Sequence, residues 1–179
     1  MALFLLIRHG ETDWVGNRLP GRLPDVHLNR QGRNQAARLP ARLSSLPIDL
    51  ICSSPLERAR ETATPLAEER QLKPRICEPL TEIDYGEWTG RAIEDLLDSG
   101  LWKSYHNFRG GTRIPGGELM LEVQSRVVTE LLRIHQEIPQ GTVAVFSHGD
   151  PIKMALAHFA GIEVESSQRL SITPASVSP

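Results

Sequence analysis

The chain carries, near its start, the stretch Leu3-Phe4-Leu5-Leu6-Ile7-Arg8-His9-Gly10-Glu11-Thr12, an apolar run that ends abruptly on an arginine and a histidine. Five apolar residues are too few to span a membrane and are typical of a strand buried on both faces. The carboxyl end of such a strand is where α/β sheets bind ligands. Arg8 and His9 are therefore candidate ligand-binding residues, and the bland alternative is the solvated end of an ordinary strand.

Composition favours one domain that binds a small ligand. The 179 residues contain no Gly/Ser-rich linker or charge run that would separate two units, so residues 1–179 are predicted to form a single domain. Twenty basic and twenty-two acidic residues give a net charge of -2. This balance argues against nucleic acid or a membrane surface as the main partner. A small anion held by a few local arginines remains compatible with it.

Cysteine usage and the N-terminus favour a cytoplasmic protein. Cys52 and Cys77 match neither a disulfide framework nor a metal-ligand spacing, and both are expected to be reduced residues in or near the core. The first apolar run has no preceding basic region and is interrupted at Arg8, so neither a signal peptide nor an anchor is expected. No metal or cofactor is predicted, and the oligomeric state is left open.

Alternating apolar patterns favour an α/β fold. Residues 48–52 and 142–146 form two further short apolar runs, and residues 119–138 have the three- and four-residue spacing of a core-facing helix. Asn29 is a plausible N-cap for an earlier helix, and residues 170–172 predict a last strand. This alternation predicts a mostly parallel sheet with helices on both faces.

The segment after the second apolar run carries the signature of a helix start. Ser54 is predicted to cap this helix, Pro55 to occupy its first position and Glu57 to complete a capping box. Arg58 then falls in the first turn, where a cation opposes the positive end of the helix dipole. A bound anion would reverse that effect. For Arg58 alone, a solvated surface arginine is the simpler interpretation.

Three predicted strands end in polar clusters, namely Arg8-His9, Ser53-Ser54-Pro55 with Arg58, and Ser147-His148-Gly149. In a parallel sheet the three ends lie at one edge. Helix N-termini present free N–H groups to phosphate, and arginine adds a bidentate fork. The sequence therefore predicts a phosphate cradle at this edge.

Two histidines at a phosphate site suggest covalent catalysis. An imidazole attacks phosphorus only when one ring nitrogen is unprotonated, and nearby Arg8 and Arg58 would lower the pKa of His9 and favour that form. His148 would then stabilise charge on the same phosphate. The remaining histidines are interpreted as packed or surface residues: His27, His106, His135 and His158.

Together these residues resemble the histidine phosphatase superfamily, also called phosphoglycerate-mutase-like. The resemblance spans almost the whole chain and rests on Leu6-Ile7-Arg8-His9-Gly10-Glu11-Thr12, Ser53-Ser54-Pro55-Leu56-Glu57-Arg58-Ala59, Leu80-Thr81-Glu82 with Gly86, Trp88 and Gly90, and Ser147-His148-Gly149. It implies a three-layer α/β/α sandwich with a mixed, mostly parallel sheet of about six strands.

The resemblance also implies a role for each site residue. His9 would be the nucleophile that becomes a phosphohistidine, and Glu82 the proton donor and acceptor. The phosphate-binding residues would be Arg8, Arg58, His148, Thr12 and Gly149. Glu82 enters only through the resemblance, since a glutamate before a Gly-rich aromatic segment is usually solvated.

The chain departs from the family pattern after the first motif. Val15 stands where the family usually has asparagine, and Pro20 where glutamine is common. Asn17 is close enough in sequence to replace the missing amide. Residues 101–117 are the candidate substrate-facing lid, with an ordinary surface loop as the alternative. The candidate substrate-facing residues are Asn17, Arg18, Arg109 and Arg113.

The favoured activity is metal-independent hydrolysis of a small phosphomonoester. Mutases of the family look longer and carry an Arg-His-Tyr-Gly type segment after the glutamate, whereas Glu82 here precedes Ile83-Asp84-Tyr85-Gly86. Phosphoglycerate-mutase-type transfer and non-catalytic binding of a phosphorylated ligand are the alternatives, and a metal-dependent hydrolase is weaker because no ligand spacing is present. The sequence leaves the particular phosphorylated metabolite open.

Overall fold

The computed structural model describes residues 2–179, which form a five-stranded mixed sheet in the order β3-β2-β4-β1-β5. Its first four strands in that order are parallel, and the edge strand β5 is antiparallel to β1. The strands are β1 Leu3–Arg8, β2 Leu50–Ser53, β3 Arg75–Ile76, β4 Thr142–Ser147 and β5 Val177–Ser178.

Within the described residues, six α-helices connect and cover these strands. They are α1 Arg30–Ala37, α2 Leu39–Arg42, α3 Glu57–Arg70, α4 Gly100–Asn107, α5 Met120–Glu137 and α6 Gly149–Phe159. Short 3-10 helices occupy Glu78–Leu80, Gly86–Trp88, Glu94–Leu96 and Val164–Arg169. None of the helices within residues 2–179 is long and apolar enough to cross a membrane.

The two faces of the sheet bury two separate apolar layers. Alternate residues of β1 point to opposite faces, so Leu6 packs with α5 and α6 while Leu5 and Ile7 pack with α2 and α3. Cys52 and Cys77 are both buried and unbridged, as expected. The predicted three-layer α/β/α sandwich is confirmed.

The strand register brings the polar strand ends to one edge. Arg8 at the end of β1 lies opposite Ser147 at the end of β4, and Ser53 at the end of β2 lies opposite Phe146. The backbone continues this alignment beyond the strands, because His9 N–H donates to the Ser147 carbonyl at 2.9 Å. The prediction that three polar segments meet at a single edge is confirmed.

Two helix starts were predicted, and one is wrong in detail. The Asn29 side chain caps α1 by accepting from Gly32 N–H at 2.9 Å, as predicted. By contrast, α3 begins at Glu57 with Leu56 at its N-cap, so Ser54 does not cap it. The Ser54 hydroxyl instead turns toward the sheet edge, where it contacts His148 and accepts from Leu56 N–H at 3.3 Å.

The predicted strand at residues 170–172 is also wrong. This segment follows a 3-10 helix and leaves the sheet, and its Ile172 carbonyl accepts from Arg8 Nη1 at 2.6 Å. Pro174 has no N–H to donate to a ladder, and the chain joins the sheet only at Val177–Ser178. The sheet accordingly has five strands, one fewer than about six.

Glycines allow the loop after His9 to pack against α1. A Cβ on Gly32 would lie 2.1 Å from the Glu11 carbonyl oxygen, and one on Gly10 would lie 2.8 Å from the Gly32 carbonyl oxygen. Both contacts are with backbone and cannot be relieved by a rotamer change. The close approach therefore requires glycine at both positions and holds the loop that carries His9.

Candidate active site

His9 is buried directly beyond β1 and has a defined tautomer. Its Nδ1 lies 2.7 Å from the Gly10 carbonyl oxygen, which only accepts hydrogen bonds, so Nδ1 carries the proton. Burial, reinforced by the positive charges of Arg58 and Arg8, lowers the pKa of His9 to about 3. The ring is therefore neutral near physiological pH, and Nε2 holds a free lone pair.

Thr62 fixes the His9 loop to α3, a role that sequence analysis missed. Its hydroxyl donates to the Arg58 carbonyl at 2.6 Å and accepts from Gly10 N–H at 2.9 Å. One side chain thus links the helix that carries Arg58 to the loop that carries His9. The available signal was its position one helical turn after Arg58.

Arg8 and Arg58 bring two positive charges to the sheet edge. Arg58 is fully buried, and its Nη2 donates to the Gly21 carbonyl at 2.7 Å. Its Nε and Nη1, like Nε of Arg8, have no hydrogen-bond partner within residues 2–179. Burial lowers the pKa of Arg58. Buried guanidinium donors without a carboxylate are suited to an anionic ligand that enters the site.

His148 faces the same space from the N-terminus of α6. Its ring centroid lies 5.2 Å from that of His9, and its Nε2 lies 2.8 Å from the Ser54 hydroxyl. Since Ser54 Oγ already accepts from Leu56 N–H, its own proton is free for His148 Nε2. That arrangement leaves the proton on Nδ1, which has no partner in the described chain. Burial, followed by the charge of Arg58, holds the pKa of His148 well below its usual range.

Glu82 is a buried carboxyl beside His148. Its Oε1 accepts from Ile83 N–H at 2.9 Å, and its Oε2 lies 4.0 Å from His148 Nδ1. Burial, followed by the negative charge of Asp150, raises the pKa of Glu82 to about 7, although Arg58 opposes this shift. Glu82 thus carries a proton in mildly acidic solution, and that proton resides on Oε2 because Oε1 is occupied by an N–H group.

Arg109 lies in a buried ion pair with Asp150, and its role as a substrate-facing residue stays a prediction. Its Nη1 and Nη2 donate to the two carboxylate oxygens of Asp150 at 3.2 and 3.1 Å, and Nη2 also meets the Tyr105 hydroxyl at 2.8 Å. Burial alone would raise the pKa of Asp150, but the charge and hydrogen bonds of Arg109, together with Lys153 and Tyr85, outweigh it and the pKa is lowered. Asp150 is therefore a fixed negative charge near Glu82.

The candidate lid contains a helix that is packed against the domain on one side. Residues 100–107 form α4, and its Trp102 and Tyr105 rings lie 5.3 and 5.4 Å from the ring of Trp88. Tyr105 is buried. These aromatic residues belong to the core layer on the α5 side of the sheet. Trp102 and Tyr105 thus hold α4 to the domain, whereas Phe108 is exposed, and a substrate-facing role for residues 101–117 stays a prediction.

The other predicted residues divide between the site and its surroundings. Thr12 is buried, and its hydroxyl accepts from the backbone N–H of Trp14 at 3.3 Å. The Cα of Gly149 borders the Arg8 guanidinium, since a Cβ there would lie 3.6 Å from Arg8 Cζ. Gly149 thus borders the candidate phosphate cluster, which is formed by Arg8, His9, Arg58 and His148. The phosphate contacts of Thr12 and Gly149 remain predictions.

The remaining candidate substrate-facing residues are exposed and make local contacts. Asn17 Nδ2 donates to the Asp13 carbonyl at 3.3 Å, and Arg18 Nη1 donates to the Gly90 carbonyl at 3.1 Å. Arg113 pairs with Glu122 through a bond of 2.9 Å from Nη1. None of these three contacts involves the phosphate cluster. No group of three or more His, Cys, Asp or Glu side chains in the described part of the chain is arranged to hold a metal ion.

Comparison with known proteins identifies the family. The family model of the histidine phosphatase superfamily (branch 1) matches residues 4–179. The chain belongs to this superfamily, and the resemblance drawn from its motifs is confirmed.

Relatives within the superfamily include phosphatases and mutases. Phosphoserine phosphatase 1 of Hydrogenobacter thermophilus is 33% identical over 172 residues, which cover 92% of this chain and 79% of that protein. "Probable phosphoglycerate mutase GpmB" of Salmonella choleraesuis is 32% identical over 181 residues, which cover 99% and 84%. The crystal structure of phosphoserine phosphatase from Entamoeba histolytica, in complex with 3-phosphoglyceric acid, aligns with a TM-score of 0.87 at 27% identity, over 99% of this chain and 89% of that one. This chain is accordingly an enzyme of the histidine phosphatase family.

Proposed function

We propose that the protein hydrolyses small phosphomonoesters through a phosphohistidine on His9, with Glu82 as the proton donor and acceptor. The observation that carries this proposal is the His9 tautomer, because the Gly10 carbonyl fixes the proton on Nδ1 and leaves Nε2 as a nucleophile. Half-buried Arg8 and fully buried Arg58 beside it are suited to the charge on the phosphoryl oxygens.

The reaction has two balanced steps. First, His9 Nε2 attacks phosphorus, the bond from phosphorus to the ester oxygen breaks, and the Glu82 Oε2 proton moves to the departing oxygen. Second, the Glu82 carboxylate takes a proton from water, the oxygen of this water attacks phosphorus, and the P–N bond breaks. Inorganic phosphate leaves, and Glu82 is again protonated. His148 Nδ1–H would donate to a phosphoryl oxygen in both steps.

The proposed ligand is a small phosphorylated metabolite. Arg8, Arg58 and His148 supply the cradle, together with Thr12 and Gly149, while the 3-phosphoglyceric acid bound to the Entamoeba histolytica protein illustrates a ligand of this kind. We further propose that residues 1–179 act as one catalytic domain, which the family match over residues 4–179 supports. The two buried, unbridged cysteines are compatible with a cytoplasmic location.

Mutase-type transfer is a second candidate, which the identity to the Salmonella protein favours. It would use the same phosphohistidine but return the phosphoryl group to an organic acceptor and not to water. The two activities therefore differ in the fate of the phosphoryl group and share the first step.

The test is hydrolysis of p-nitrophenyl phosphate by the whole chain in the presence of a chelator, followed by rapid quenching. We expect turnover, and a trapped phosphoprotein that is stable in base and labile in acid. Turnover that the chelator abolishes would contradict the proposal. A phosphoprotein that forms without turnover and passes its phosphoryl group to a phosphoglycerate would identify a mutase, and the absence of both would indicate a binding protein.

The raised pKa of Glu82 predicts a leaving-group-dependent pH profile. With phenyl phosphate, whose leaving group has a pKa of about 10 like that of tyrosine, kcat/KM should fall above pH 7, as Glu82 loses the proton it must donate. Below pH 7 Glu82 is protonated, and His9 stays neutral because its pKa is about 3.

The matched control for this profile is 2,4-dinitrophenyl phosphate, whose leaving group departs without a proton. The Glu82→Gln variant should lose about 10²- to 10⁴-fold in kcat/KM on phenyl phosphate. It should also lose the decline above pH 7, while changing little on the dinitrophenyl ester. Equal losses on both esters would show that Glu82 does not protonate the leaving group.

A further inference from the structure

Arg126 on α5 holds the backbone of the segment that carries Glu82. Its Nη1 donates to the carbonyls of Pro79 and Thr81 at 2.5 and 2.8 Å, and its Nη2 donates to the carbonyl of Glu82 at 3.1 Å. The carbonyl between them, that of Leu80, accepts from the Ser147 hydroxyl at 2.7 Å. Every carbonyl from residue 79 to residue 82 thus has a side-chain donor.

The Glu118 carboxylate binds both Arg126 and a second arginine, Arg22. Its Oε1 lies 3.0 Å from Arg126 Nε, and its Oε2 lies 3.1 Å from Arg126 Nη2, which is a bidentate pair. The same Oε2 accepts from Asp84 N–H at 2.9 Å and from Arg22 Nη2 at 2.9 Å. Arg22 Nε in turn donates to the Glu82 carbonyl at 3.1 Å. Arg126 and Arg22, which share the Glu118 carboxylate, therefore both donate to the Glu82 carbonyl.

The position of the Glu82 carboxyl depends on these contacts to its backbone, because few hydrogen bonds hold the carboxyl itself. Its one hydrogen bond within residues 2–179 comes from the adjacent N–H of Ile83, so the carboxyl moves with the backbone of its own segment. Oε2 is the oxygen without such a bond, and it lies 4.0 Å from His148 Nδ1. The backbone position of residues 81–83 thus decides where the transferable proton is presented.

We propose that Arg126, held in place by Glu118, is a positioning residue for proton transfer by Glu82. Arg126 makes no hydrogen bond to Arg8, His9, Arg58 or His148, and it contacts the Glu82 segment through the carbonyls. Its charge also contributes to the lowered pKa of His148, an effect that would act on both esters alike. The inference rests on the proposed role of Glu82. A guanidinium suits this task because it is planar and donates in several fixed directions, whereas an ammonium is a compact point charge.

The test compares two esters in one variant. A displacement of about 1 Å at a reacting group can cost about 100-fold in rate. For Arg126→Met we therefore expect kcat/KM on phenyl phosphate to fall about 10- to 100-fold, with a far smaller change on 2,4-dinitrophenyl phosphate. The ratio of the two values does not depend on the folded fraction, so a general loss of stability cannot imitate the effect. Arg126→Lys should restore the ratio in part, since lysine reaches fewer carbonyls.

Arg133→Met is the matched control. Arg133 lies on the same helix, is about half exposed, and pairs with Glu130 and Glu137 on its own helix. We expect the ratio of the two esters to stay at the wild-type value in this variant.

Two outcomes separate the inference from the proposed function. If Glu82→Gln shifts the ratio and Arg126→Met does not, the arginine only stabilises the fold and the inference is wrong. If Glu82→Gln leaves the ratio unchanged, the role of Glu82 is wrong and the inference falls with it. Should Arg126→Met give no folded protein, the ratio of Arg126→Lys decides, and a wild-type value there would overturn the inference.

Discussion

The His9→Ala variant is expected to form no phosphoenzyme and to lose at least about 10⁴-fold in kcat/KM on p-nitrophenyl phosphate, because no other group replaces the nucleophile. The ring of His148 is close to that of His9, with the two centroids 5.2 Å apart. It is not expected to replace His9 as the nucleophile, because the Ser54 hydroxyl donates to its Nε2 and its Nδ1 carries the proton. The residual rate should exceed that in water, since Arg8 and Arg58 still stabilise the phosphoryl charge.

The same variant should remain folded and bind phosphate. His9 is buried and makes one side-chain hydrogen bond, so its removal should cost about 1–3 kcal/mol in the free energy of unfolding. Calorimetric titration with inorganic phosphate and trapping with the aryl ester are the measurements. His27→Ala is the control, because His27 is an exposed histidine paired with Glu61. A phosphoprotein trapped in His9→Ala would place the nucleophile on another residue.

The meeting of Arg8, Arg58 and His148 at one edge of the sheet was predictable from local signals in the sequence. Each apolar run ends at a polar group, and a parallel sheet brings those ends together whatever the details of its loops. Arg8 at the end of β1, Arg58 in the first turn of α3 and His148 at the start of α6 are fixed in this way. Only the orientation of the rings required the structure, because it depends on the Gly10 carbonyl and the Ser54 hydroxyl.

Glu82 could not be predicted from local signals, for a physical reason. Its segment is held by Arg126, which lies 44 residues further along the chain, and its pKa depends on burial and on distant Asp150. Neither a hydrophobic periodicity nor a helix-capping motif in the sequence predicts contacts of this kind. Only the resemblance to the family indicated Glu82 as a site residue. From the local sequence alone, this glutamate would be expected to be exposed to solvent.

The ion pair of Arg109 is a second contact that the sequence did not predict. An arginine in a segment with three aromatic side chains has the composition of a substrate-facing lid, and it has equally the composition of a packed helix. In the structure, both terminal nitrogens of the Arg109 guanidinium donate to Asp150, which lies 41 residues further along the chain. Sequence spacing does not encode that contact, so the ion pair could not be predicted, and a substrate-facing role for Arg109 stays a prediction.

Arg58→Met is expected to reduce activity and to raise the stability of the ligand-free protein. Arg58 is fully buried, burial lowers its pKa despite the negative charges of Glu82 and Glu57, and two of its nitrogens lack a partner within residues 2–179. Replacing a buried charge by an apolar side chain of similar length is often neutral or stabilising by about 1–4 kcal/mol. The unpaired Gly21 carbonyl would offset about 1 kcal/mol of this gain.

The loss of activity should be large, because an arginine on a transferring phosphoryl group contributes about 10³- to 10⁵-fold in rate. The measurements are kcat/KM and the thermal unfolding midpoint, with and without saturating inorganic phosphate. Phosphate should raise the midpoint of the wild-type chain and have little effect on the variant, since a ligand stabilises only the state that binds it. Arg60→Met, an exposed arginine on the same helix, should leave both quantities unchanged. A variant that is less stable and still shifted by phosphate would mean that Arg58 is a structural residue, with the ligand held elsewhere.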